Sequence, residues 1–344
     1  MNRFSYRISP TAPYDFSLTV GSMTYFQARH AADMYENGEY RRVLTLDGAP
    51  VLVSVRAVYR EDGVDGGRDN GSGYNYHTDG NNSDSSPVDA GSTDTPELEV
   101  DVVGESLSAA SADDALRVVR RMLSTDADIS AFYAMSLDDP HLAPLVRNMH
   151  GLRPTCAPTA YEALVLAILG QQISTHVARM LRNLIIETYG ERIVIDGETL
   201  RAFPRPQALA DAGVDGLRTI KFSRRKAEYI TGISERIAAG ELSLEAMRDM
   251  PDDEIVGGLM ALRGVGAWTA HWMLIRAFGR PDGFPHGDLA LQRMMGVMVG
   301  DGSPMPADEA LAYSERWSPW RSWVTAYMFG AGRTGRFAEI VAGE

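Results

Sequence analysis

Apolar and polar residues alternate in three segments near the N-terminus, 42–46, 51–58 and 98–103. A period of two with many β-branched residues predicts strands of one sheet. Ahead of them, Leu18 to Val20 and Met23 to Phe26 form a weaker region that suits strand or helix. Leu116, Val119, Met122 and Leu123 recur at helical spacing within 110–123. From about residue 126 the period is that of helices, and no alternating run exceeds a few residues. Helices are predicted over 129–135, 141–148, 159–170, 175–189, 207–212, 214–219, 223–239, 252–262, 267–278, 289–298, 306–317 and 320–329. The pattern predicts an α+β sheet domain over 1–123 followed by an all-α bundle over 124–344.

One stretch breaks the pattern. Residues 61–96 are rich in Gly, Asp, Asn and Ser and almost devoid of aliphatic side chains, so burial cannot offset their chain entropy. The stretch reads as a disordered acidic insert joining two strands. It holds eight acids and one base, Arg68, and so carries −7 of the net charge of −13. That distribution matters because a net charge of −13 would otherwise argue against a nucleic-acid partner. Residues 201–236 hold eight basic and four acidic side chains, a local +4. With 344 residues and 44% hydrophobic side chains, the chain can bury the core of about two domains. Its lone cysteine, Cys156, excludes an internal disulfide and an all-cysteine cluster, and seven scattered histidines leave little room for zinc. Neither a long apolar run nor a basic-then-apolar start is present, which predicts no membrane span and a cytoplasmic protein.

The chemistry gathers around Leu262-Arg-Gly-Val-Gly-Ala-Trp-Thr-Ala270. Gly264 and Gly266, between two helical patterns, make a tight hairpin whose backbone N–H groups can point at an anion such as a DNA phosphate. A plain helix–turn–helix corner would use the same glycines. After the second helix comes Phe284-Pro-His-Gly-Asp288, then a further apolar helix, so Asp288 stands where a helix cap belongs.

These pieces resemble the helix-hairpin-helix (HhH-GPD) DNA glycosylases, and most of all their DNA-3-methyladenine glycosylase II branch. The resemblance also rests on Pro13-Tyr-Asp15, Gly38-Glu-Tyr-Arg41, Ala167-Ile-Leu-Gly-Gln-Gln-Ile-Ser174, Phe203-Pro204, Arg293 and Glu315-Arg-Trp-Ser-Pro-Trp-Arg-Ser322. It covers nearly the whole chain except the insert. It implies an N-terminal sheet domain like half of a TATA-binding protein, then two helical portions flanking an active-site cleft. The implied activity is removal of an alkylated base, of the 3-methyladenine or 7-methylguanine type, from double-stranded DNA. The protein would then act as a monomer that joins the nucleoid during repair.

The resemblance makes Asp288 the catalytic carboxylate, which suits a reaction that builds positive charge on the sugar. Asp282 and His286 are near in sequence but off the motif. The resemblance further implies a base pocket of Gln171, Trp268, Trp272 and Phe329, with Gln172 as the wedge that fills the hole left by the flipped nucleotide. Phosphate would be held at Gly264, Val265, Gly266 and Thr269. The carbonyls of Met260, Leu262 and Val265 match positions that hold a monovalent cation in relatives; no other cofactor is expected. Trp268 stands where strand-cleaving members carry a lysine, and the chain has only Lys221 and Lys226, so a monofunctional hydrolase is implied. The residues leave open the same fold aimed at a deaminated base or uracil, or a DNA-structure binder without catalysis.

Overall fold

The computed structural model describes residues 1–30, 32–59 and 95–343. All of the acidic insert except Thr95 and Pro96 lies outside them. In chain order the elements are β1 (Asn2–Ile8), α1 (Phe16–Thr24), β2 (Arg29–His30), β3 (Asp33–Glu36), β4 (Glu39–Leu46), β5 (Ala49–Val58), β6 (Glu97–Gly104) and α2 (Ala109–Leu123). Then come α3 (Ser130–Asp138), α4 (Ala143–Asn148), α5 (Ala160–Gly170), α6 (Thr175–Tyr189), β7 (Arg192–Ile195), β8 (Glu198–Arg201), α7 (Pro206–Thr219), α8 (Arg224–Ala238) and α9 (Asp252–Met260). The last are α10 (Ala267–Arg276), α11 (Leu289–Val299), α12 (Ala307–Ser314), α13 (Arg321–Arg333) and α14 (Phe337–Ala342). No helix among the described residues is long and apolar enough to cross a membrane.

The first six strands form one antiparallel sheet in the order β1-β6-β5-β4-β3-β2. The insert thus leaves the end of β5 and returns at the start of its antiparallel neighbour β6. Alternation divides the sheet's two faces. Val51, Val53, Val55, Leu98, Val100 and Val102 pack with Phe16 and Val20 of α1 and with the Ala112, Ala115, Val119 and Met122 stripe of α2. On the other face Val43, Leu52 and Val103 meet Ile193, Ile195 and Leu200.

Those last three residues correct the all-helical reading of the C-terminal half: β7 and β8 are a hairpin that covers the back of the sheet. Its turn, Asp196-Gly197, has φ of 50° and 83°, and the same left-handed pair closes Asn37-Gly38 and Asp47-Gly48. Asx-Gly between short apolar runs is a hairpin signal, so the sequence did carry it. The ambiguous region at residue 18 is helix, because Asp15 caps it by accepting the Leu18 N–H at 2.8 Å.

The helices after α2 form two apolar clusters. One holds α5 to α10, the other α3, α4 and α11 to α14. The chain enters the second, leaves it for the first and returns at Phe284, so α10 and α11 face each other across the seam. A buried polar knot ties the sheet to the first cluster: Arg42 of β4 pairs with Asp33 and with Glu162 of α5, and Arg182 of α6 reaches Asp33 at 3.3 Å. Burial raises the Asp33 carboxyl, but Arg42 and Arg182 outweigh it and hold the group below its usual range. Pairing is what makes such burial tolerable.

Candidate active site

Asp288 closes the 284–288 loop and caps α11. Its Oδ1 accepts the Ala290 and Leu291 N–H groups at 2.9 and 3.1 Å. Its Oδ2 faces α10, where the Trp268 and Trp272 indoles donate at 2.9 and 3.3 Å. Four residues apart, the two indoles share one face of their helix and reach the same oxygen. Their rings meet edge-on at 6.3 Å, and Trp272 meets Phe329 of α13 at 5.3 Å. A half-buried carboxylate, fixed by four N–H donors at a helix N-terminus, is therefore set beside an aromatic wall at the seam.

The neighbouring groups have other duties. Asp282 binds the Arg321 guanidinium through both oxygens at 2.8 Å and accepts the Ser318 hydroxyl at 2.9 Å. Burial raises its carboxyl, but these partners hold it below the ordinary range. His271 Nδ1 accepts the Phe284 N–H at 3.4 Å and the His286 carbonyl accepts Gln292 Nε2 at 2.9 Å, bracing the loop that delivers Asp288. Trp317 is fully buried and donates to Asp139 at 2.9 Å, so its motif block belongs to the core.

The hairpin joins α9 to α10. Gly264 has a φ of +91°, and a Cβ there would lie 2.2 Å from the Tyr229 ring of α8, so the backbone rests directly on that ring. Arg263 lies over the same ring, 5.5 Å from its centroid. Gly266 differs: it is the exposed cap residue of α10, it has no side chain to cap the helix's first N–H groups, and among the described residues nothing lies within 4 Å of its would-be Cβ. That end of the helix is open to an anion.

Residues 165–319 match the family described as HhH-GPD superfamily base excision DNA repair protein. Over 214 residues the chain is 32% identical to the DNA-3-methyladenine glycosylase of Bacillus subtilis, covering 62% of this chain and 71% of that one. The chain belongs to the HhH-GPD superfamily. It is also 31% identical over 180 residues to DNA-3-methyladenine glycosylase 2 of Escherichia coli, which covers 52% of this chain and 60% of the relative. Its fold is that of the 3-methyladenine DNA-glycosylase from Archaeoglobus fulgidus, at a TM-score of 0.76 and 24% identity over 95% of this chain and 98% of that one.

The remaining HhH-GPD motif residues fall close by. Gln171 Nε2 donates to the Gly264 carbonyl and to Thr269 Oγ1, each at 3.0 Å, tying the turn after α5 to the hairpin. Thr269 is 1% exposed, and its hydroxyl oxygen accepts from Gln171. Gln172, exposed and at φ 54°, forms the tip of the turn. Lys226, one of the eight basic residues between 201 and 236, is half-buried. Its Nζ donates to the Leu169 and Gln171 carbonyls at 2.7 and 2.6 Å, and burial lowers its pKa. The HhH-GPD signature does not mark this residue; its rarity in an arginine-rich chain was the available signal.

Lys226→Met is expected to loosen the Gln172 turn. Each hydrogen bond to a charged group contributes about 1.5–3 kcal/mol, and the alternative is two carbonyls left at a helix end. Single-turnover base release should fall at least roughly tenfold while secondary structure by circular dichroism is kept. An unchanged rate would show that the brace plays no part in base release.

Proposed function

We propose that this protein is a monofunctional DNA glycosylase, which turns a damaged, alkylated base out of double-stranded DNA and hydrolyses its N-glycosidic bond. The observation that carries the reading is the Asp288 carboxylate, held by Trp268 and Trp272 at the seam just beyond the hairpin. The relatives' names supply the alkylated-base class. As the bond between C1′ and the base nitrogen breaks, its electron pair leaves with the base and positive charge grows on the sugar. A carboxylate beside C1′ stabilises that charge more than it stabilises the neutral ground state. Water then adds at C1′ and loses a proton to solvent, leaving an abasic site.

Phosphate binding in this reading falls to the open N-terminus of α10 and the hairpin backbone. A monovalent cation on the Met260, Leu262 and Val265 carbonyls would add charge there. The Leu262 carbonyl accepts the Val265 N–H at 3.1 Å and keeps a second lone pair for such an ion. The protein would work as a cytoplasmic monomer. Strand cleavage through a lysine Schiff base is not part of the proposal, because Trp268 holds that position and Lys226 is engaged with two carbonyls.

Incubation with a duplex carrying 7-methylguanine should release the free base and leave an abasic strand that stays intact until treated with alkali. Borohydride should trap no covalent protein–DNA species. Absence of base release from alkylated DNA would overturn the proposed function, and a trapped adduct would overturn its monofunctional part.

A further inference from the structure

The Tyr229 ring of α8 does more than support Gly264. Arg263 lies over it, 5.5 Å from its centroid, and the Arg225 guanidinium donates to its hydroxyl through Nη2 at 3.1 Å and Nε at 3.3 Å. Both arginines are exposed, so one half-buried tyrosine holds two cationic side chains at the surface beside the hairpin. Other exposed arginines, Arg7, Arg56 and Arg336 among them, lie against carboxylates. Arg225 has no carboxylate within ion-pair distance among the described residues, and its Nη1 has no hydrogen-bond partner there. The acid that serves its neighbours is Glu228, 3.3 Å from Arg263 and 3.9 Å from Arg224. Three arginines thus share one glutamate, which leaves a local +2 on a chain of net charge −13.

The start of α8 is also where two pieces of the site are joined. Lys226 holds the turn that carries Gln172 through the Leu169 and Gln171 carbonyls, and Tyr229, one turn further on, lies against Gly264. Gln171 closes the triangle by donating to the Gly264 carbonyl at 3.0 Å. A duplex that rests on the hairpin with the Gln172 tip at its base stack runs its backbone along the first turn of α8. The hairpin itself offers a phosphate only neutral N–H groups. An arginine without a carboxylate supplies what backbone cannot, a full charge whose contact releases a counterion. The tether matters as well: holding a guanidinium on a tyrosine hydroxyl before DNA arrives spares part of the side-chain entropy lost on binding.

We propose that Arg225 and Arg263, set in place by Tyr229, grip two backbone phosphates beside the hairpin, so that this acidic protein holds DNA through a small, pre-positioned pair of charges. The proposal rests on the DNA glycosylase reading above and adds charged contacts to its neutral ones. When Arg263 turns to a phosphate, Glu228 keeps Arg224 as its partner. The grip is on the backbone and is therefore indifferent to the lesion.

The test is binding of the full chain to an undamaged and to an abasic-site duplex in potassium chloride from about 50 to 200 mM, scored as the slope of log affinity against log salt. Arg225→Ala with Arg263→Ala should make that slope shallower by about 1.8, roughly 0.9 for each phosphate released. Affinity at about 100 mM salt should fall at least roughly tenfold, and by the same factor on both duplexes. Arg225→Lys with Arg263→Lys keeps both charges and should keep the slope. Arg3→Ala with Arg117→Ala makes the same change of net charge at exposed positions on β1 and α2 and should leave the slope unmoved. Urea melts accompany each variant, and should the alanine pair melt early, Arg225→Gln with Arg263→Gln is read in its place. A slope that moves by less than about 0.5 in the neutral pair, or that moves as far in the lysine pair or the β1 and α2 pair, overturns this inference while base excision stands. Slopes as expected without release of 7-methylguanine would remove the glycosylase reading and leave the phosphate grip. Binding to neither duplex removes both.

Discussion

Asp288→Asn is expected to cut base release by roughly a thousandfold while leaving the fold and the binding of abasic DNA in place. Two features of the site separate those effects. Asparagine caps a helix about as well as aspartate, so the bonds from the Ala290 and Leu291 N–H groups can pass to its carbonyl oxygen. The other half of the side chain cannot be imitated. Trp268 and Trp272 both aim an indole N–H at Oδ2, and an amide NH₂ there would set donor against donor. The variant thus removes the negative charge that the cationic sugar needs and also loosens the two rings beside it. Single-turnover release under saturating enzyme, with thermal melting and a binding titration on an abasic-site duplex, separates the effects. Release within tenfold of the unaltered chain would remove Asp288 from the chemistry. Lost folding with lost release would make it a structural cap.

The second large effect is expected at Gly264. Alanine there must adopt a φ of +91° and place its Cβ 2.2 Å from the Tyr229 ring, so either the ring or the hairpin has to move. The ring is not free to yield: Arg263 lies over it, and the Arg225 guanidinium donates to its hydroxyl at 3.1 Å. Gly264→Ala should lower stability by about 2 kcal/mol or more, the usual range for imposed backbone strain. Affinity for an abasic-site duplex should fall by at least roughly tenfold as the start of α10 shifts away from the phosphate. Gly266→Ala is the control. Its φ of −109° suits any residue and its Cβ would meet open space, so stability should change by at most about 1 kcal/mol. Urea melts and binding titrations of the two variants decide the matter, and equal losses in both would mean that the Tyr229 contact does not set the hairpin.

Some of this site was local information and could be read directly. The hairpin glycines, the capping position of Asp288 and the shared face of Trp268 and Trp272 depend on residues within a turn or two of one another. The strands from Arg42 to Val103 and the stripe of α2 were legible for the same reason, because each shows its buried face as a short period. Asp196-Gly197 was legible too, but it lies between two four-residue strands in a helical stretch, too short to register as alternation. Other contacts join residues far apart in sequence, and no local period encodes them. Lys226 reaches carbonyls 55 and 57 residues away, Gln171 a hairpin 93 residues away, and Arg333 a serine 311 residues away. The same holds for the meeting of α10 with α11, which turns a helix cap into a carboxylate gripped by two indoles. Local sequence determines which backbone each segment adopts, since propensity and capping act within a few residues. Which side chains then share one pocket is decided only when distant helices pack against one another.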